Sequence, residues 1–310
     1  MQARTRILAA ISTALLLASC SQEAPSDQPV AVQADAVKVS LLDAGDGNKQ
    51  ALRFKPTTTP QQTTLLIDDG FHQTTSTGDD TPEETHTMKL PVTAEASAGN
   101  DADGDSGDSE TADDTAANRS VKVTVGTPTY SDTTLNKELA TAKGFAVSWA
   151  GDDTGRINSL TFSAPDNATD TARAATERFL QHVINLPIVF PGDDVGKGAK
   201  WKVESRVSGA STLLQTTTYT AKSITHDAVE LDVQVEQRPA VSKLSITGPD
   251  GQPTGDLQVL NSTTNSKGTI RVDLNKPLPE GDIQFTTTVH YGGDSDVTVT
   301  QMATTRIQFQ

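Results

Sequence analysis

Residues 229–235 alternate without a break: Val229, Leu231, Val233 and Val235 are separated by Glu230, Asp232 and Gln234. Successive strand side chains point to opposite faces, so this period puts an apolar face on a core and a charged face in water. The same alternation recurs along the chain. It marks short strands at Val37, Val39 and Leu41; at Leu52 and Phe54; at Leu65 to Ile67; at Met88 to Val92; and at Val121, Val123 and Val125. Phe145, Val147 and Trp149 pair with Ile157, Leu160 and Phe162 as a hairpin around a Gly/Asp-rich loop. After Trp201 the marks are Leu244 and Ile246; Leu257 and Val259; Ile270, Val272 and Leu274; Ile283, Phe285 and Val289; Val297 and Val299; Ile307 and Phe309. Asp43 to Asn48 and Asp68-Asp69-Gly70 read as turns between strands, and Pro91 places a bulge or an edge.

One segment breaks the period. After Pro165, Ala168, Ala172, Ala175, Phe179 and Val183 recur at helical spacing, with Asp166, Asn167 and Thr169 as N-cap types. A shorter helix over 135–143 ends at Gly144. The fold class expected is mainly β with one central helix (α+β): an antiparallel curved sheet, an open barrel or a sandwich. Two related β-halves are an option, since in each a Thr-rich double strand precedes a Val-rich alternating one.

The organisation expected is a leader over 1–19, a flexible tether over 20–36 and an N-terminal β-rich half over 37–165. A helix with an extended connector follows over 166–200, then a C-terminal antiparallel half over 201–310. Residues 97–118 hold no apolar side chain larger than Ala and so cannot offset their ordering entropy, which predicts a disordered acidic insertion between strands.

The first twenty residues combine Arg4 and Arg6 with an apolar run of about a dozen residues, too short to span about 30 Å of hydrocarbon. They close on Leu17-Ala18-Ser19-Cys20, which holds the sole cysteine, so no disulfide forms within the chain. This resembles the lipobox of bacterial lipoprotein precursors. The resemblance implies a diacylglycerol on the Cys20 thiol, with palmitate-type acyl chains, and cleavage between Ser19 and Cys20. It implies a protein held at the extracytoplasmic face of the cell membrane. The Thr/Ser/Asp/Ala-rich, Lys-poor bias is similar to exported actinobacterial proteins. From Gly144 to Gln310 the helix, the Pro-rich extended chain and the Gly196-Lys197-Gly198-Ala199-Lys200-Trp201 entry resemble an uncharacterised domain family of bacterial lipoproteins, which implies no activity.

Charge and motifs narrow the function. Lys and Arg number 25 against 40 Asp and Glu, and the leader takes two arginines, leaving a formal −17. That argues against nucleic acid and against polybasic lipid contact. His72, His86, His182, His226 and His290 show no metal-ligand spacing. Gly-x-Ser-x-Gly and Ser-x-x-Lys are absent. The paired acids Asp68-Asp69, Asp79-Asp80, Asp152-Asp153 and Asp193-Asp194 read as turns, not as a glycosidase pair. Asp101, Asp103 and Asp105 begin like a calcium loop, but Ser106 and Ala112 stand where Gly and Glu are required. Gly196-Lys197-Gly198 leads into a strand and not into a phosphate-binding helix.

The expectation is therefore a non-enzymatic protein with no catalytic residue, cofactor or metal. It is anchored through Cys20 and binds an apolar ligand or an envelope partner. Competing readings are an envelope hydrolase with a non-local site and a structural or adhesive surface protein.

Overall fold

The computed structural model describes residues 32–78, 80–98, 118–207, 212–247, 253–293 and 297–310. The first nine strands are β1 (Val32–Gln33), β2 (Lys38–Asp43), β3 (Asp46–Gln50), β4 (Gln61–Thr75), β5 (Glu84–Ala98), β6 (Arg119–Val125), β7 (Thr129–Tyr130), β8 (Ala146–Gly151) and β9 (Ile157–Ser163). After the main helix come β10 (Val195–Lys197), β11 (Lys200–Val207), β12 (Leu213–Ile224), β13 (Ala228–Pro239), β14 (Lys243–Thr247), β15 (Pro253–Asp273), β16 (Glu280–Gly292) and β17 (Val299–Phe309). The helices are α1 (Asn136–Leu139), flanked by short 3-10 turns, and α2 (Asp170–Ile184).

Among the described residues, fifteen strands form one antiparallel sheet in the order β1-β9-β8-β6-β5-β4-β17-β16-β15-β13-β12-β11-β2, with β7 beside β5 and β14 beside β15. The fold is thus the β-rich α+β class expected, and the sheet does not close into a barrel. Both halves share this one sheet, since β17 pairs with β4. Its two edges nevertheless approach each other. β1 and β2 lie at opposite ends of the strand order yet are separated by only residues 34–37, a span of under about 20 Å at full extension. The Arg156 guanidinium, beside β9, donates to the Val37 carbonyl at 2.8 Å across this gap. Such a sheet must be strongly curved, and the core lies on its concave face.

Alternate side chains of each strand meet there: Leu65 and Ile67, Leu90 and Val92, Val121 and Val123, Leu231 and Val233, Ile283 and Phe285 are all buried in one cluster. Helix α2 fills the hollow. Thr169 caps it by accepting from the Ala172 amide at 3.2 Å, and Pro187 follows two residues after the Asn185 C-cap. It buries Ala172, Thr176, Phe179 and Leu180; the small Ala172 lets the backbone come close. The connector after it is pinned by two strand aromatics. Trp201 Nε1 donates to the Val189 carbonyl at 2.9 Å, and the Tyr219 hydroxyl to that of Pro187 at 2.8 Å. The rings of Phe54, Phe190, Trp201 and Tyr219 follow one another at centroid distances of 5.2, 6.2 and 5.7 Å.

Several boundaries differ from the expectation. Asp46 to Asn48, read as part of a turn, lie in the strand Asp46–Gln50, which pairs with β10. The two strands cross so closely that a Cβ on Gly196 would lie 2.2 Å from the Asp46 carbonyl oxygen, so only glycine fits. Leu52 and Phe54 are buried but not in a strand. Val32–Gln33, at the end of the expected tether, pairs with Leu160 and Ser159. Ser97 and Ala98 belong to β5 and pair with Ser120 and Arg119; the rest of the acidic insertion, residues 99–117, lies outside the described residues. Pro91 sits where the neighbour of β5 changes from β6 to β7, and its carbonyl accepts from Gly126, so its missing N–H interrupts no ladder.

The strands marked at Leu257 and at Ile270 are one strand of 21 residues. The polar stretch between them pairs fully with β16. Its Thr264 hydroxyl meets that of Thr287 at 3.1 Å, and Thr287 joins a polar chain on the concave face beyond the helix. The Thr287 hydroxyl donates to Gln237 Oε1 at 2.8 Å, and Gln237 Nε2 to Gln215 Oε1 at 2.8 Å. Gln215 Nε2 in turn donates to the Asn185 carbonyl at the helix C-cap. On the neighbouring strands Gln301 Nε2 donates to Gln73 Oε1 at 2.9 Å. Because these buried amides and hydroxyls are satisfied, polar segments stay in the sheet.

Candidate functional site

Asp68-Asp69-Gly70 does not end a strand. β4 continues through it to Thr75, which corrects the turn expected there. The two acids point to opposite faces. The Thr87 hydroxyl donates to Asp68 at 2.7 Å. Asp69 keeps the phase of Leu65 and Ile67, and so faces the hollow where α2 lies. Arg178 donates from Nη2 to Asp69 Oδ2, and His182 Nε2 lies 3.7 Å from the same oxygen. Four residues apart on a helix, these two side chains share one face.

The antiparallel register adds the rest. Asp69 is opposite His86 and Phe71 is opposite Glu84, so these four side chains make a block on the concave face. His86 Nε2 is 3.6 Å from Glu84 Oε2. The imidazole stacks on Tyr130, with centroids 5.6 Å apart and planes at 19°. Tyr130 is held by its own amide, which donates to Asn136 Oδ1 at 2.7 Å, and it meets Phe179 edge-on at 5.9 Å. Phe179 in turn meets His182 at 6.1 Å. The ionisable groups are therefore seated on an aromatic row that belongs to the core.

Together with Thr81 and Pro82, the block and Arg178 line a depression of about 280 Å³. Phe71, in its lining, is 47 % exposed, unusual for an aromatic in phase with core residues. Burial raises the Asp69 carboxyl, but the hydrogen bond and charge of His182 and the charge and hydrogen bond of Arg178 outweigh it, and the group is held below the ordinary carboxylate range. Burial, helped by Asp69, Asp132 and Glu84 against the opposing charge of Arg178, raises the Tyr130 phenol.

A depressed carboxylate has a definite sign. Between its folded and unfolded values the unfolded chain binds more protons, so stability rises with pH there. The contribution of Asp69 is present above the ordinary carboxylate range and is lost as pH falls through its lowered value. Asp69→Asn is expected to cost about 1 kcal/mol at neutral pH, since Arg178 is mostly solvated. It is also expected to flatten the acid limb of a Tm-against-pH profile between about pH 2 and 5. An unchanged acid limb would show that the pair does not couple to folding.

The Asp69–His182 pair sets a carboxylate 3.7 Å from an imidazole nitrogen. Among the described residues there is no group of three or more His, Cys, Asp or Glu able to hold a metal ion.

The other singled-out residues are dispersed. Ser19, Cys20, Asp79, Asp101, Asp103 and Asp105 lie outside the described residues. His72 lies on the convex face, in β4. His226 is exposed beside Lys55 and Asp227, and His290 bonds Thr300 at 2.9 Å. Asp152 caps its hairpin loop, taking the Thr154 and Arg156 amides, while Asp193 and Asp194 are exposed. Sequence reasoning missed Asp69, Phe71, Glu84, His86, Tyr130, Arg178 and His182 as a group. A signal was present in two places: Asp69 and Phe71 continue the phase of Leu65 and Ile67, and Arg178 and His182 are at i and i+4.

No protein-family model and no curated protein matches this chain.

Proposed function

We propose that this chain is an extracytoplasmic lipoprotein, anchored to the cell membrane through Cys20, that binds a small ligand in the depression beside α2 and carries out no reaction on it. The observation that carries the binding reading is the convergence of Asp69, Glu84, His86 and Arg178, from two strands and a helix, around the exposed ring of Phe71. Ligand sites combine an apolar surface with a few convergent polar groups in this way. The interior between helix and sheet is occupied by the chain's own Phe179, Leu180, Phe190 and Trp201. That favours the open depression over an internal acyl cavity as the place where a ligand is held.

Ligand-observed NMR with a library of small polar and amphiphilic molecules tests the reading. Hits should appear with the wild type and disappear when Phe71→Ala and Glu84→Gln are combined, both side chains being exposed enough to replace without unfolding. Hits indifferent to the double substitution, or none at all, would overturn it.

A further inference from the structure

The depression offers a ligand both signs of charge, from different elements. Glu84 comes from the sheet, and its side chain is 61 % exposed. Arg178 comes from the helix and is 56 % exposed. Asp69 is already engaged by the Arg178 guanidinium, with the His182 imidazole beside it. Arg178 spends Nη2 on that contact; among the described residues its Nη1 and Nε have no hydrogen-bond partner, so that side of the planar fork can take a carboxylate. Glu84 has no Lys or Arg ion-pair partner among the described residues, and the His86 imidazole lies 3.6 Å from it. The apolar part of its lining is the ring of Phe71 and Pro82.

The dimensions restrict what fits. About 280 Å³ is at the lower end of small-molecule sites, near 300 Å³, and suits one amino-acid-sized molecule. A ligand with one charge would satisfy one wall and leave the other facing its apolar body. A wholly apolar ligand would desolvate both.

Resting on the binding reading above, we infer that the depression takes a small zwitterion with an apolar side chain, a free amino acid or the equivalent end group of a larger molecule. Its carboxylate docks on Arg178, its ammonium on Glu84 and its side chain on Phe71 and Pro82. All three contacts are partly solvated, so binding is weak and falls with ionic strength.

Leucine, 3-methylbutylamine and 4-methylpentanoate share a side chain and carry both charges, the ammonium alone and the carboxylate alone. Titrated against the full chain by ligand-observed NMR, leucine is expected to bind about three- to fivefold more tightly than either analogue, the difference an exposed ion pair gives. Glu84→Gln should erase its advantage over 4-methylpentanoate, and Arg178→Gln its advantage over 3-methylbutylamine. Phe71→Ala should weaken all three. If leucine binds no better than an analogue while Phe71→Ala still weakens binding, the zwitterion assignment falls and the depression remains the binding site. If the substitutions leave all three affinities unchanged, or none of the three binds, both fall. A melting profile for each variant separates lost binding from lost folding.

Discussion

A chain lacking residues 299–310 is expected to show no cooperative melting transition and no dispersed amide spectrum. This outcome follows from where β17 lies. It is the last strand in sequence but the seventh of thirteen across the sheet, between β16 and β4. It makes eleven residue pairs on each side. Val299, Ile307 and Phe309 are buried on it, and at about 1.5–3 kcal/mol for each buried side chain their loss removes about 5–9 kcal/mol. Domain stabilities are commonly about 5–15 kcal/mol in total. The deletion also uncovers Ile67 on one neighbour and Ile283 on the other, both fully buried in the intact chain, and parts the two halves of the sheet. Circular dichroism through a thermal ramp decides the matter; a sharp transition in the shortened chain would mean that the halves fold separately.

Cys20→Ala is expected to abolish incorporation of a radiolabelled fatty acid completely, with the wild type strongly labelled. The proposed attachment places two acyl chains on this thiol, and each buried CH₂ contributes about 0.8 kcal/mol, so the pair holds the protein to the bilayer in practice permanently. No other cysteine can take the modification, and among the described residues no helix is long and apolar enough to cross a membrane. A formal −15 gives no attraction to anionic lipid. Fatty-acid labelling is a cleaner readout than fractionation, because an unprocessed leader can itself retain the precursor on membranes. Label in the Ala variant, or none in the wild type, would remove the anchoring proposal and leave the binding proposal standing.

The fold was most legible where a strand has one face in the core and one in water. The Val229–Val235 alternation and the Ala-rich stripe of α2 each correspond to an element with those faces, and the hairpin at 145–162 forms as paired strands. Legibility failed where both faces of a strand are polar. Asn261–Gly268 lacks an apolar rhythm because its inward hydroxyls bond to β13, as Thr264 does to the Gln237 amide at 2.9 Å. Such a strand is specified by its neighbours, which lie far off in sequence. The candidate site was hidden by the same physics. Asp-Asp-Gly is a turn signature because Asp satisfies local backbone and Gly relaxes it. Here Asp69 is satisfied by a helix more than a hundred residues away, and Gly70 leaves room for the Thr85 hydroxyl, which a Cβ there would meet at 2.9 Å. No local pattern encodes either fact.

The bridge over residues 34–37 gives the molecule a load path. Tension entering from the segment before Val32 is borne first by β1, whose ladder is two residue pairs on β9. It reaches the longer ladder of β2 on β11 only afterwards. Since β1 and β2 are the opposite margins of one curved sheet, a pull strong enough to peel β1 does not unravel the sheet from its end. It loosens the bridge between the margins, leaving the Arg156 contact to Val37, and under the anchoring proposal it turns traction from the membrane into a force that spreads the sheet.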